Sequence, residues 1–120
     1  MSTQTVYFAV DLTIHEGKLS AFETIAQAMI AGCRKEAGAL GYEWFFSSDR
    51  RRCRLIEIYK DADAVLEHVT GPVVQQLVPK LLEASSINGF EVYGDPGPEA
   101  AETLRGIGAE IFGFQYGLGG

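Results

Sequence analysis

Hydrophobic and polar positions change period several times along the 120 residues. Val6, Phe8, Val10 and Leu12 alternate with Tyr7, Ala9, Asp11 and Thr13, a period of two that predicts a first strand over 5–13. From about Glu16 the spacing becomes three and four. Leu19, Phe22, Ile25, Ala26, Met29, Ile30 and Cys33 then share one side, with Ser20, Glu23, Thr24, Gln27 and Arg34 on the other. This predicts an amphipathic helix of about five turns, closed near Gly38 by a glycine in the left-handed C-terminal conformation. Two β-branched and aromatic runs follow, 39–48 and 52–60, separated by Asp49-Arg50-Arg51, and they predict an antiparallel hairpin at the centre of a sheet. Tyr42, Trp44 and Phe46 fall on one face of its first strand and Phe45 on the other, while Ile56 and Ile58 oppose Leu55 and Tyr59 in the second. A sheet apolar on both faces needs cover on both.

Beyond the hairpin, Asp61-Ala62-Asp63 sets acidic residues at a helix start, where the dipole favours them, and Val65, Leu66 and Val69 supply an apolar side. Gly71-Pro72 restarts the chain. Val73, Leu77, Val78, Leu81 and Leu82 then form a second helical stripe, which Pro79 kinks or divides. A strand over 85–94 carries Phe90, Val92 and Tyr93, with Asn88-Gly89 imposing a turn or bulge. After the loop 95–99 come a short helix at 100–105, a Gly106-Ile107-Gly108 stop, a strand over 109–116 and a glycine-rich tail, 117–120, expected to fray.

The order strand, helix, strand, strand, helix, strand is that of a ferredoxin-like split βαβ sandwich of the α+β class, with a C-terminal helix and strand added. One domain spans 1–120, with its core at 5–94 and its extension at 95–116. Helices on one face leave Trp44, Phe46 or their neighbours uncovered on the other, so a two-fold homodimer packed sheet against sheet is expected.

Charge narrows the partners. Sixteen acidic and ten basic residues give a net charge of -6, which disfavours nucleic acid, whose binding needs many Lys and Arg on one surface. Arg50, Arg51, Arg52 and Arg54 crowd the hairpin tip, as a solvated edge or as the lip of an anion site. Cys33 and Cys53 lie apart, with no CxxC and no His at metal-ligand spacing, and read as small buried hydrophobes; the acidic residues do not cluster, so no metal is expected. The first five residues do not resemble a leader, and no apolar run approaches a membrane span, so a cytoplasmic protein without membrane contact is expected. No glycine-rich loop joins a strand to a helix as phosphate binding requires, and Ser47-Ser48 lacks an activating motif.

Three segments carry a family resemblance: Arg34-Lys35-Glu36-Ala37-Gly38-Ala39-Leu40-Gly41-Tyr42-Glu43, Glu57-Ile58-Tyr59, and Ala64-Val65-Leu66-Glu67-His68. Together they resemble the antibiotic biosynthesis monooxygenase domain family, which shows R-x-E-x-G-x-L-x-Y-E after its first helix, then an E-x-W strand end and an A-x-x-x-H helix. The likeness runs from about residue 5 to residue 93 and implies a dimeric α/β barrel. The family includes cofactor-independent oxygenases of quinols and aromatic polyketides, haem-degrading enzymes, and members with no known activity, and fold does not choose among them. In the haem-degrading branch an Asn, a Trp and a ligand His stand where this chain has Val10, His68 and Val78, so the iron's imidazole is missing.

Oxygenation without a cofactor requires a base that takes a proton from a phenol or quinol inside an apolar pocket, so that the substrate itself supplies electrons to oxygen. His68 is the candidate base, having the right intrinsic pKa; it also reads as a partly exposed helix residue or as one bonded to a neighbouring backbone. Tyr42, Trp44, Glu57 and Tyr59 are the candidate pocket residues. Tyr59, where the family usually has Trp, reads as core or as pocket wall, and Trp44 as dimer seam or as cavity lining. Glu57 is expected to be paired, for instance with an Arg across the sheet, or to have a perturbed pKa in the pocket. His15 reads as a loop residue. The function expected is that of a cofactor-independent monooxygenase of a quinol or polycyclic phenol; the alternative is a non-catalytic dimer that binds a small hydrophobic ligand or is purely structural.

Overall fold

The computed structural model describes residues 4–118, so the expected ends at 1–3 and 119–120 lie outside the described residues. Strands β1 (Val6–Ile14), β2 (Ala39–Phe46), β3 (Arg52–Tyr59), β4 (Ser85–Tyr93) and β5 (Glu110–Phe112) form one sheet in the order β2-β3-β1-β4-β5. The first four pair antiparallel, and β5 lies parallel to β4. Helices α1 (Leu19–Cys33), α2 (Ala62–Thr70), α3 (Val78–Ala84) and α4 (Pro98–Gly106), with a π-helical turn Val73–Leu77 between α2 and α3, complete the ferredoxin-like arrangement.

Alternation along β1 is complete: Val6, Phe8, Val10, Leu12 and Ile14 are buried, and β3 buries Cys53, Leu55, Glu57 and Tyr59 beside them. Against this face α1 sets Phe22, Ala26, Met29 and Cys33, the stripe its spacing predicted. The sequence identified which residues share a face but placed the first hairpin strand the wrong way round. Trp44 and Phe46 point to α1, with ring centroids 5.8 and 5.9 Å from Phe22, and Tyr42 sits 5.8 Å from Trp44. The opposite, open face carries exposed Tyr7, Phe45, Tyr93 and Phe112, half-buried Ile56 and Ile58, and Asp11 paired with Arg54 at 2.6 Å and Arg52 at 3.6 Å. Trp44 is therefore not on the face open to a second chain; Phe45, which pairs with Arg54, is.

Local chemistry explains most of the boundaries. Asp61 caps α2, its carboxylate accepting from the Ala64 amide at 2.9 Å, a contact worth about 1 kcal/mol. Pro79 cannot donate to the ladder, and the predicted stripe divides into the π-helical turn and α3. The β1–β4 register slips between Asp11 and Leu12, opposite Gly89 and Ile87, which leaves Asn88 as the predicted bulge. At the hairpin tip Arg50 takes a positive φ of 58°, and its guanidinium reaches Glu23 at 3.3 Å. Two expectations fail. Helix α1 stops at Cys33, and Gly38 is not among the positive-φ glycines, which are 17, 94, 97 and 108. Gly38 is small for another reason: its carbonyl accepts from Lys60, and a methyl group there would run into the Ala64 methyl where β2 passes the start of α2. The last strand is three residues long, not eight, and it pairs within its own chain; residues 113–118 continue without strand structure.

Candidate active site

Between the sheet and the helices lies a cavity of about 60 Å³, walled by Phe8, Val10, Met29, Leu55, Val78 and Leu104 among others. Its polar lining comes from Tyr42, Glu57 and His68. Val10, His68 and Val78, the three positions singled out by comparison with the haem-degrading branch, all line it.

The elements place this polar knot by simple rules. Glu57 and Tyr59 are two residues apart on β3 and so project to the same covered face, where Tyr59 Oη donates to Glu57 Oε1 at 2.5 Å. His68 lies on the sheet-facing side of α2 with Val65 and Val69, and only 3% of it is exposed. Its ring packs 4.9 Å from Tyr59 and 5.9 Å from Tyr42, centroid to centroid. Nδ1 meets Glu36 Oε1 at 2.8 Å, and Nε2 stands 3.4 Å from Glu57 Oε1. An ionised carboxylate only accepts, so Nδ1–H is the donor to Glu36, and the neutral ring turns the lone pair of Nε2 toward Glu57.

Burial sets the electrostatics. Desolvation raises the Glu57 pKa above the ordinary carboxylate range, opposed by His68 and by the Tyr59 hydrogen bond, with Glu36 adding to the rise. For His68 desolvation acts downward, but the Glu36 hydrogen bond and the charges of Glu57 and Glu36 outweigh it, and the net shift is upward. The Tyr59 and Tyr42 phenols are pushed far up, first by burial and then by the Glu57 charge, so both remain donors. The Cys33 thiol is pushed up to about 12 by burial and by the charges of Glu36 and Glu57, against a hydrogen bond with Tyr59. The knot can therefore accept a proton at an imidazole made more basic than usual, and hold it where water is scarce.

Of the predicted site residues, the fold brings together Tyr42, Glu57, Tyr59 and His68. Trp44 touches this group only through Tyr42: it does not line the cavity but packs on Phe22, lines an outer groove with Tyr42, Phe46 and Arg50, and its buried Nε1 has no hydrogen-bond partner. Glu57 is both paired and shifted, but its partners are Tyr59 and His68, because Arg54 projects to the other face and binds Asp11. His68 is not a partly exposed helix residue. His15 lies in the loop after β1, as expected, with its Nε2 2.7 Å from Ser86 Oγ. Glu36 and Cys33 were missed as members of the site. Glu36 stands in the R-x-E segment quoted above, but nothing local signals that it meets a histidine 32 residues later.

The chain is similar to the crystal structure of MupZ from Pseudomonas fluorescens, with 25% identity, a TM-score of 0.78, and coverage of 96% of this chain and 93% of that one. Rv0793 from Mycobacterium tuberculosis matches at 22% identity with TM-score 0.69, over 79% of this chain and 98% of the other. SnoaB from Streptomyces nogalater, a cofactor-independent oxygenase, matches at 18% identity with TM-score 0.67, over 78% and 95%. The latter two show a shared fold. No curated protein matches the chain. The antibiotic biosynthesis monooxygenase family model matches residues 5–80, which include every member of the polar knot, and the chain belongs to that family.

Proposed function

We propose that the protein is a cofactor-independent monooxygenase of a quinol or a polycyclic phenol, with His68 as the base. The observation that carries this reading is the imidazole buried between two carboxylates, its Nε2 beside Glu57 and its ring in the wall of an otherwise apolar cavity. Family membership and the likeness to SnoaB support it. In an anthrone-type substrate, Nε2 takes the proton whose loss makes the ring electron-rich enough to reduce oxygen. A ring CH2 then becomes C=O: two C–H bonds break, one oxygen atom stays on carbon, and the other leaves as water with the two hydrogens. Glu57 and Glu36 stabilise the imidazolium formed meanwhile, and Tyr59 keeps Glu57 in place.

A second reading rests on the cavity itself. Pockets that engulf small molecules usually measure a few hundred Å³, whereas this one is about 60 Å³. That size favours a module that is structural, or that binds a ligand only as its helices part. We also propose a homodimer in either case, because the apolar residues of the open face have no cover within the described chain. No helix among the described residues is long and apolar enough to cross a membrane.

Oxygen uptake by metal-free protein over a panel of quinols and anthrones separates the two readings. The oxygenase consumes one O2 per substrate and leaves one atom of 18O2 in the ketone. No uptake above buffer on any member overturns it in favour of the binding module.

A further inference from the structure

Where α1 ends beside α2, one buried charged atom has nothing to bind. The Glu36 side chain is nine-tenths buried, Oε1 accepts from His68, and Oε2 has no hydrogen-bond partner. Such an atom points to a water or an ion that completes its shell. Cys33, one helical turn earlier, brings a buried thiol to the same place, and one ligating atom from each of Cys33, Glu36 and His68 lies within 4.8 Å of the other two. We propose that Cys33, Glu36 and His68 bind a single divalent transition-metal ion, with Zn2+ the best match.

The donor set selects the ion. A thiolate, an imidazole and a carboxylate suit Zn2+ or Co2+ and discriminate against Mg2+ and Ca2+, which want oxygen alone. The two anionic donors cancel the ion's charge, as a buried site requires. Bonds of about 2.0–2.3 Å in a tetrahedron set donor atoms roughly 3.5 Å apart, a spacing compatible with three atoms that lie within 4.8 Å of one another. On binding, the ion displaces the Cys33 Sγ proton and replaces the Nδ1–H···Oε1 hydrogen bond, leaving the imidazole proton on Nε2.

The shell behind the ligands agrees. A metal-bound histidine generally gives its other N–H to a carboxylate that fixes the ring, and here Nε2 faces Glu57 Oε1 at 3.4 Å while Tyr59 secures that carboxylate at 2.5 Å. An entry path exists as well, since Glu36 also lines an open groove of about 380 Å³ with Gly32, Lys35, Glu67 and Gln76. Three protein donors leave a fourth position for water. The ion and a substrate proton then compete for one imidazole, because metal at Nδ1 turns Nε2 from acceptor to donor.

The test uses the full chain stripped with a chelator and titrated with Co2+. One ion per chain is expected, with the near-ultraviolet thiolate-to-cobalt band and the intense visible bands of a four-coordinate centre, all abolished by Zn2+. Cys33→Ser removes the near-ultraviolet band and Cys53→Ser keeps it. Glu57→Gln, which touches no ion, weakens Zn2+ binding by about 10–100-fold. The 113Cd resonance of the unsubstituted chain gives a measure free of any folding defect and is expected to report one thiolate among nitrogen and oxygen donors. A wild-type chain without the thiolate band, a band that survives Cys33→Ser, or a cadmium shift typical of oxygen and nitrogen donors alone overturns the site. Oxygen uptake is read nowhere, so this outcome is separate from that of the oxygenase reading.

Discussion

The two faces of the same sheet treat charge in opposite ways. On the open face Asp11 meets Arg54 at 2.6 Å and Arg52 at 3.6 Å, with all three side chains 30–55% exposed. On the covered face Glu57 meets Tyr59 and His68 with 4% exposure. Glu57 and Arg54 are three residues apart on one strand, so alternation alone sends them to opposite sides. Water screens the first group and lets its members part at little cost. No such relief exists for the second, in which each polar atom depends on the next.

Four substitutions sharpen or break this contrast, the largest expected effect first. Under the oxygenase reading, His68→Gln removes roughly two to four powers of ten of turnover, the share of a positioned general base. Unchanged oxygen uptake on an accepted quinol excludes His68 from that role. Next, Glu57→Ala leaves Tyr59 and His68 without their buried partner and is expected to lower stability by about 3–5 kcal/mol. Urea denaturation measures it, and a loss under about 1 kcal/mol would place the knot in contact with water. On the open face, Phe45→Glu puts a charge into the proposed dimer seam and should raise the dissociation constant at least tenfold, about 1.4 kcal/mol. Sedimentation of wild-type protein as a monomer at micromolar concentration would remove the seam altogether. The smallest change belongs to Asp11→Asn, which breaks two exposed ion pairs for roughly 0–1 kcal/mol. A melting shift as large as that of Glu57→Ala would erase the difference between the faces.

Strands and helices were legible in the sequence because each depends on near neighbours. The alternation of Val6 to Leu12, the stripe from Leu19 to Cys33, the Asp61 cap and the break at Pro79 all appear where local spacing puts them. The candidate residues Tyr42, Glu57, Tyr59 and His68, marked by their types and by the family segments, lie together in the fold.

Which side of the sheet those residues occupy was decided elsewhere. A period of two fixes that Tyr42, Trp44 and Phe46 share a face, but whether the helices cover that face depends on packing against Phe22 from α1. Gly38 shows the same limit: its small size reads locally as a helix stop, and only the passing start of α2 reveals the steric reason. The 109–116 run carries Ile111, Phe112, Phe114 and Tyr116, yet among the described residues only Glu110–Phe112 pairs as a strand, alongside β4. The meeting of Cys33 and Glu36 with His68, across more than thirty residues, arises because the end of α1 and the last turn of α2 lie over the same sheet. Sequence determined which groups each element presents, since that is set by backbone geometry one or two turns long; tertiary structure alone decided which of them share a place without water, and so which carry a large energetic weight.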